Sequence, residues 1–138
     1  MTQQSELNLQ GIDFEEGYIA VIDKPLECTS SDVVRKIKFA LRRAGYPKIK
    51  VGHAGTLDPM ATGVLPVFVG QATRAVSFAE SGQKEYVAGL KLGLVTNTQD
   101  TSGETLGTHP ASVTRTELES VLPRFTGEIE QIPPMYSA

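Results

Sequence analysis

"VGHAGTLDPMATGVLP", residues 51–66, holds one histidine, one aspartate, two prolines and three glycines, with no other charged side chain. Glycine at 52, 55 and 63, together with the Asp58-Pro59 pair, breaks any helical or strand period, so residues 50–62 read as a loop between ordered elements. Asp58 is its one carboxylate. An aspartate before proline ordinarily shapes a turn: its carboxylate accepts a nearby backbone N–H, and the residue before proline is pushed toward extended geometry. The glycines change that expectation, because Gly52, Gly55 and Gly63 let backbone come close to a ligand or to another segment. Loops held on a rigid scaffold are also where catalytic groups concentrate. An ionised aspartate there can act as nucleophile or general base without a metal.

Ordered elements are expected on both sides of this loop. Upstream, "GYIAVIDKP" (17–25) has a β-rich apolar core that stops at Pro25 and predicts a strand running into a turn. "SSDVVRKIKFALRRAG" (30–45) predicts a helix with Ser30 or Ser31 as N-cap, Asp32 in the first turn and Gly45 closing it. Val33, Ile37, Ala40, Leu41 and Ala44 make its apolar stripe. Arg35, Lys38 and Arg42 form a basic flank, and Lys36 and Arg43 share another line. Downstream, "GVLPVFVG" reads as a short strand and "QATRAVSFAES" as a short helix. "KEYVAGLKLGLVT" (84–96) alternates with period two and places Tyr86, Ala88, Leu90 and Leu92 on one strand face. "NTQDTSGET" is a turn cluster. "VTRTELESVL" predicts a helix opened by a capping box, Thr114 to Glu117 or Thr116 to Glu119, and closed by Pro123. No repeat, low-complexity tract or inter-domain linker stands out, and the pattern is mixed α and β in irregular alternation.

Composition narrows the function classes. A chain of 138 residues, 40% hydrophobic and 21% charged, is in the range of one soluble globular domain. It has no apolar run of the roughly 18 residues that would span a bilayer, and its polar leader, residues 1–17, is unlike a secretory signal. A cytoplasmic location is expected. Cys28 is the only cysteine, and with His53 and His109 it offers no metal-ligand spacing, so it reads as a packed thiol. The formal charge of -3 argues against a generic nucleic-acid binder. Seven of the thirteen Lys and Arg residues nevertheless fall between Arg35 and Lys50, a window without Asp or Glu. Such a block supplies either a solvated helix face or phosphate contacts.

Other residues carry two readings each. His53 is a tautomer-fixed structural histidine, a base or an RNA contact. Tyr86 is a core aromatic or a platform for a nucleobase. Lys24 and Lys84 read as surface lysines, each functional only if its strand edge faces a ligand. The ending "QIPPMYSA" is apolar, follows an extended path fixed by its proline pair and lacks the polar fraying of a natural terminus, so the chain is expected to continue beyond Ala138.

"GHAGTLDPMATGVLPVFVGQATR" closely resembles the signature of the TruB family of tRNA pseudouridine synthases, a Gly-His-x-Gly-x-Leu-Asp-Pro-x-Ala-x-Gly run. "IDKPLECTSSDVVRKIK", "KEYVAGLKLGLVTNTQDTSGE" and "FTGEIEQIPPMYSA" resemble successive family segments in the same order, so the likeness covers residues 18–138. It implies an α+β fold, a mixed and mainly antiparallel sheet flanked by helices, of which this chain would hold the N-terminal portion. The implied reaction isomerises a uridine of the tRNA T loop, at the position called 55, to pseudouridine without cofactor or metal.

Carried over to this sequence, Asp58 would be the catalytic aspartate, acting at C1′ as nucleophile or at C2′ as base. Tyr86 would face the flipped uracil, and His53, with Gly52 and Gly55, would lie against the T loop. Arg35, Lys38, Arg42, Lys48 and Lys50 are candidates for the RNA backbone. Glu27 departs from the pattern, standing where the family has glycine. The family's later half, with an arginine that pairs with the aspartate and further strands of the sheet, is not in these residues, so the isolated chain is expected to be inactive or nearly so. Two rival readings are a non-catalytic T-loop-binding module or tRNA chaperone, and the archaeal and eukaryotic relative that works within a guide-RNA particle.

Overall fold

The computed structural model describes residues 13–14 and 16–132, in two units divided after Lys84. Most of the polar leader and the final "PPMYSA" therefore lie outside the described residues.

In the first unit, the β-branched run Tyr18–Lys24 forms β1, and Gly63–Val69 forms β3, its antiparallel neighbour. The register sets Ile22 against Leu65, Ala20 against Val67 and Tyr18 against Val69, which puts alternate residues of both strands on one face. The helix α1, Ser30–Arg43, turns Val33, Val34, Ile37 and Leu41 to that face, whereas Ala40 and Ala44, expected in its apolar stripe, are exposed. Val33, Val34 and Leu41 join Leu65, Val67 and Val69 in one buried cluster that also includes Cys28 and Phe14. The thiol expected to be packed is buried.

The start of α1 differs by one residue from expectation. Thr29 is the N-cap: its Oγ1 accepts from the Asp32 N–H at 3.0 Å, while the Asp32 carboxylate accepts from the Thr29 N–H at 2.9 Å. Ser30 is thereby freed to turn inward, where it is 2% exposed. At the other end Gly45 takes a left-handed φ of +94°. The N–H of Tyr46 bonds Leu41 and that of Gly45 bonds Arg42, the Schellman arrangement that only a residue tolerant of positive φ closes without strain.

The expected loop contains a strand. Val51–His53 forms β2 and pairs antiparallel with β3, giving a sheet of order β1-β3-β2. Three residues with a glycine in the middle carry too little periodicity to announce themselves; the partner strand defines them. After β3 the chain makes a 3-10 turn, Gly70–Ala75, and a short helix α2, Val76–Glu80.

In the second unit, β4 (Leu94–Thr96) and β5 (Thr105–Thr108) form a hairpin, followed by α3 (Arg115–Val121). Of the two capping boxes expected for α3, the Thr114 to Glu117 pair is the one formed. As expected, α3 stops just before Pro123, which lies in the 3-10 turn Leu122–Phe125 that follows. The strand expected over 84–96 is present only from Leu94. Residues 84–93 have the right alternation but form no ladder among the described residues, and a strand exists only where its N–H and C=O groups find a partner edge. The hairpin loop is organised by Asp100, whose carboxylate accepts from Thr98 Oγ1 at 2.7 Å, from the Ser102 N–H at 2.8 Å and from Ser102 Oγ. These bonds, the Ser102 hydroxyl first and Thr98 next, hold the Asp100 carboxyl below its ordinary range, and bonds from Thr114 do the same for Glu117.

Candidate functional site

Asp58 lies on the loop that connects β2 to β3, and its two chain neighbours are tethered, one to the first residue of α1 and the other to the turn that precedes α1. On one side the Leu57 N–H donates to Ser30 Oγ at 3.0 Å, and the same hydroxyl lies 3.3 Å from the Leu57 carbonyl, to which it donates. On the other side the Glu27 N–H donates to the Pro59 carbonyl at 2.8 Å. Between these anchors the Ala61 N–H bonds the Asp58 carbonyl at 3.0 Å and closes a turn over Pro59 and Met60. The turn is thus made by the backbone of Asp58. Its carboxylate is left exposed and makes no hydrogen bond or ion pair among the described residues.

The anchoring segment is itself braced from below. Lys24, expected at the surface, is fully buried at the end of β1, and its Nζ donates to the Pro25 carbonyl at 3.0 Å and the Cys28 carbonyl at 2.5 Å. The reason is its parity. Lys24 follows Ala20 and Ile22 on the core face of β1, so its stem is buried, and two carbonyls of the turn satisfy the nitrogen at its tip. Glu27 occupies the left-handed region at φ +57°, a conformation that suits glycine, and still delivers its N–H to Pro59.

His53 ends β2 opposite Val67, on the core face, and its Nδ1–H donates to the Gly55 carbonyl at 2.6 Å. That bond places the proton on Nδ1 in the neutral ring and leaves Nε2 free to accept. Gly55, at φ +84°, bends the chain so that its carbonyl can reach the ring. Gly52 pairs with Phe68 on the opposite sheet face, where a Cβ would stand in ordinary contact with Val76 at 3.8 Å.

The candidate cations fall into two groups. Lys48 and Lys50 line an open pocket of about 320 Å³ together with Gln71, Thr73 and Arg74. The Gly70 N–H donates to the Lys50 carbonyl at 2.8 Å, and Thr73 Oγ1 donates to the Gly70 carbonyl at 2.8 Å, which ties the two walls together. Spacing along the chain does not single out Arg74. Its signal is non-local: the pairing of Val51 with Val69 sets Lys50 beside Gly70 and so brings the turn carrying Arg74 alongside. Arg35, Lys38 and Arg42 stand elsewhere, all exposed along α1, with Arg35 ion-paired to Asp32. Tyr86 belongs to the second unit and is 65% exposed. Among the described residues no group of three or more His, Cys, Asp or Glu is placed to hold a metal, and no helix is long and apolar enough to cross a membrane.

Residues 42–138 match the N-terminal domain of the TruB family of pseudouridylate synthases. The chain is 47% identical over 129 residues to a protein of Phocaeicola vulgatus named tRNA pseudouridine synthase B, an alignment covering 92% of this chain and 55% of that one. Proteins of the same name from Azoarcus sp. and Clostridium kluyveri are 47% and 46% identical, over 87% and 85% of this chain. Those alignments cover 38% and 39% of the relatives, so the chain spans about half their length or less.

Proposed function

The chain belongs to the TruB pseudouridylate synthase family, and from that premise we propose that it carries the catalytic aspartate of a tRNA pseudouridine-55 synthase acting on a flipped-out T-loop uridine. One observation carries the reading: Asp58 stands at a turn clamped on both sides, by Ser30 at Leu57 and by Glu27 at Pro59, with its carboxylate exposed and uncommitted. A group held in place by its neighbours and free at its tip is what a reacting carboxylate requires.

The isomerisation is internally balanced. The bond from C1′ to N1 of uracil breaks, the base turns, and a bond from C1′ to C5 forms; C5 gives up its proton and N1 takes one from the surroundings. Asp58 serves either as nucleophile at C1′ or as base at C2′. Extruding a stacked uridine costs on the order of a few kcal/mol, offset by stacking of the flipped base on the ring of Tyr86. His53, its tautomer set by Gly55, offers Nε2 as a hydrogen-bond partner to the T loop. Lys48, Lys50 and Arg74 hold backbone phosphates in the pocket they share. The reaction belongs to the cytoplasm, where the tRNA is, and full turnover draws on the further length that the relatives named for this activity possess.

Tritium release from a T-arm RNA labelled at uridine C5 tests the reading. The longest polypeptide that carries these residues should release tritium, and Asp58→Asn should bind the RNA and release none. RNA binding without release by either protein would favour a T-loop-binding module instead. The 138 residues alone should bind the RNA and release little.

A further inference from the structure

The polar face of α1 carries a feature that the proposed chemistry does not use. Phe39 is 62% exposed, on the side of the helix opposite the buried Val33, Val34 and Leu41. Its neighbours three and four residues away along the helix surface are Arg35, Lys36, Arg42 and Arg43, every one a cation and every one exposed. The Arg43 guanidinium lies over the Phe39 ring, 5.8 Å from its centroid. Asp32 is the only acid in the helix; it is committed to the Thr29 cap and to Arg35. An aromatic ring at the centre of four cations adds nothing to the core.

We propose that this face is a second RNA contact, in which an unpaired nucleobase stacks on Phe39 and the surrounding cations hold the phosphates on either side. The inference rests on the RNA-binding reading above and extends it to a surface distinct from the Lys48, Lys50 and Arg74 pocket. Charge selects the partner. Docking of an apolar protein surface would strip water from Lys36, Arg42 and Arg43 without pairing them, and a duplex would engage the cations but leave the ring idle. A single-stranded nucleotide uses both, since base–aromatic stacking and phosphate neutralisation are the two parts of single-strand binding.

Fluorescence anisotropy decides it, with the longest polypeptide carrying these residues and three probes: a T-arm hairpin, an oligouridylate of about twelve nucleotides, and an RNA duplex of about the same length. Phe39→Ala should weaken oligouridylate binding about tenfold and duplex binding by less than about twofold, while leaving the thermal unfolding midpoint in place. Phe39→Trp should restore binding and Phe39→Leu should not. Lys36→Gln should weaken all probes and lower the salt dependence by about one phosphate contact. Parent affinity for oligouridylate in Phe39→Ala, or full rescue by Phe39→Leu, would overturn the stacking contact. If the T-arm hairpin still binds in that case, only this inference falls; if the parent binds no RNA probe, the RNA reading falls with it.

Discussion

Val67, in the middle of β3, has no exposed surface, whereas Leu106, in the middle of β5, is 68% exposed. The same contrast runs through the two units. The first is organised by burial at a distance, with α1 and two strands closing over Leu65, Val67 and Val69. The second contains no buried residue among those described and is organised locally, by the Thr114 to Glu117 box, the Arg115 to Glu119 pair and the hydrogen bonds gathered on Asp100. Local bonds of this kind define elements but contribute little free energy in water, and an isolated two-stranded hairpin is marginal. The exposed Tyr86, Val87, Leu90 and Phe125 are apolar surface that the second unit does not cover for itself.

The largest expected effect tests this directly. Leu65→Ala removes a side chain 1% exposed at the centre of the cluster and should cost about 2–5 kcal/mol in urea unfolding. Leu106→Ala should change the same transition by no more than about 0.5 kcal/mol. A comparable loss from Leu106→Ala would mean that the second unit owns a core, and the contrast would dissolve.

What is legible in the sequence follows the same division between near and far. β1, α1 and β3 are readable because β-branched runs, a 3.6-residue stripe and a capping residue are local signals, and α3 for the same reason. β2 is not readable, since Val51–His53 is a strand only by virtue of its pairing with Val67–Val69. Residues 84–93 err in the opposite direction: their alternation is real, but alternation describes a face and not the edge it needs. At the site, the Asp58 loop is legible as a motif, while its clamp is not, because Ser30 meets Leu57 across 27 residues of chain. Lys24 reads as a surface residue because composition alone cannot say that two carbonyls wait beneath it; the parity of β1 can.

Next in size is the clamp. Ser30→Ala would leave the half-buried Leu57 N–H and carbonyl without their partner, at a cost of about 1–3 kcal/mol. The equivalent change in the second unit, Thr98→Ala, removes a hydroxyl that only supports the Asp100 loop and should stay within about 0.5 kcal/mol. Loosening Leu57 also loosens Asp58, so Ser30→Ala should lower kcat by about tenfold with KM nearly unchanged. Loss confined to KM would remove Ser30 from any part in positioning the carboxylate.

The smallest effect is the most discriminating, because among the described residues each unit holds one non-glycine residue in the left-handed region: Glu27 at φ +57° and Gln99 at φ +62°. That conformation costs an ordinary L-residue about 1–2 kcal/mol, and replacing it by glycine recovers most of the cost less the extra freedom glycine gives the unfolded chain. Glu27→Gly should therefore raise global stability by about 0.5–1 kcal/mol, since the Glu27 N–H ties the turn after β1 to Pro59 and so to the folded first unit. Gln99→Gly relieves the same strain in a hairpin that opens independently of any core. It should leave the urea midpoint where it is and slow hydrogen exchange only at the amides of Asn97 and Glu104, which bond across the loop. Equal shifts of the midpoint from both substitutions would show that the two units unfold together, and the distinction between distant and local order would then describe their construction but not their stability.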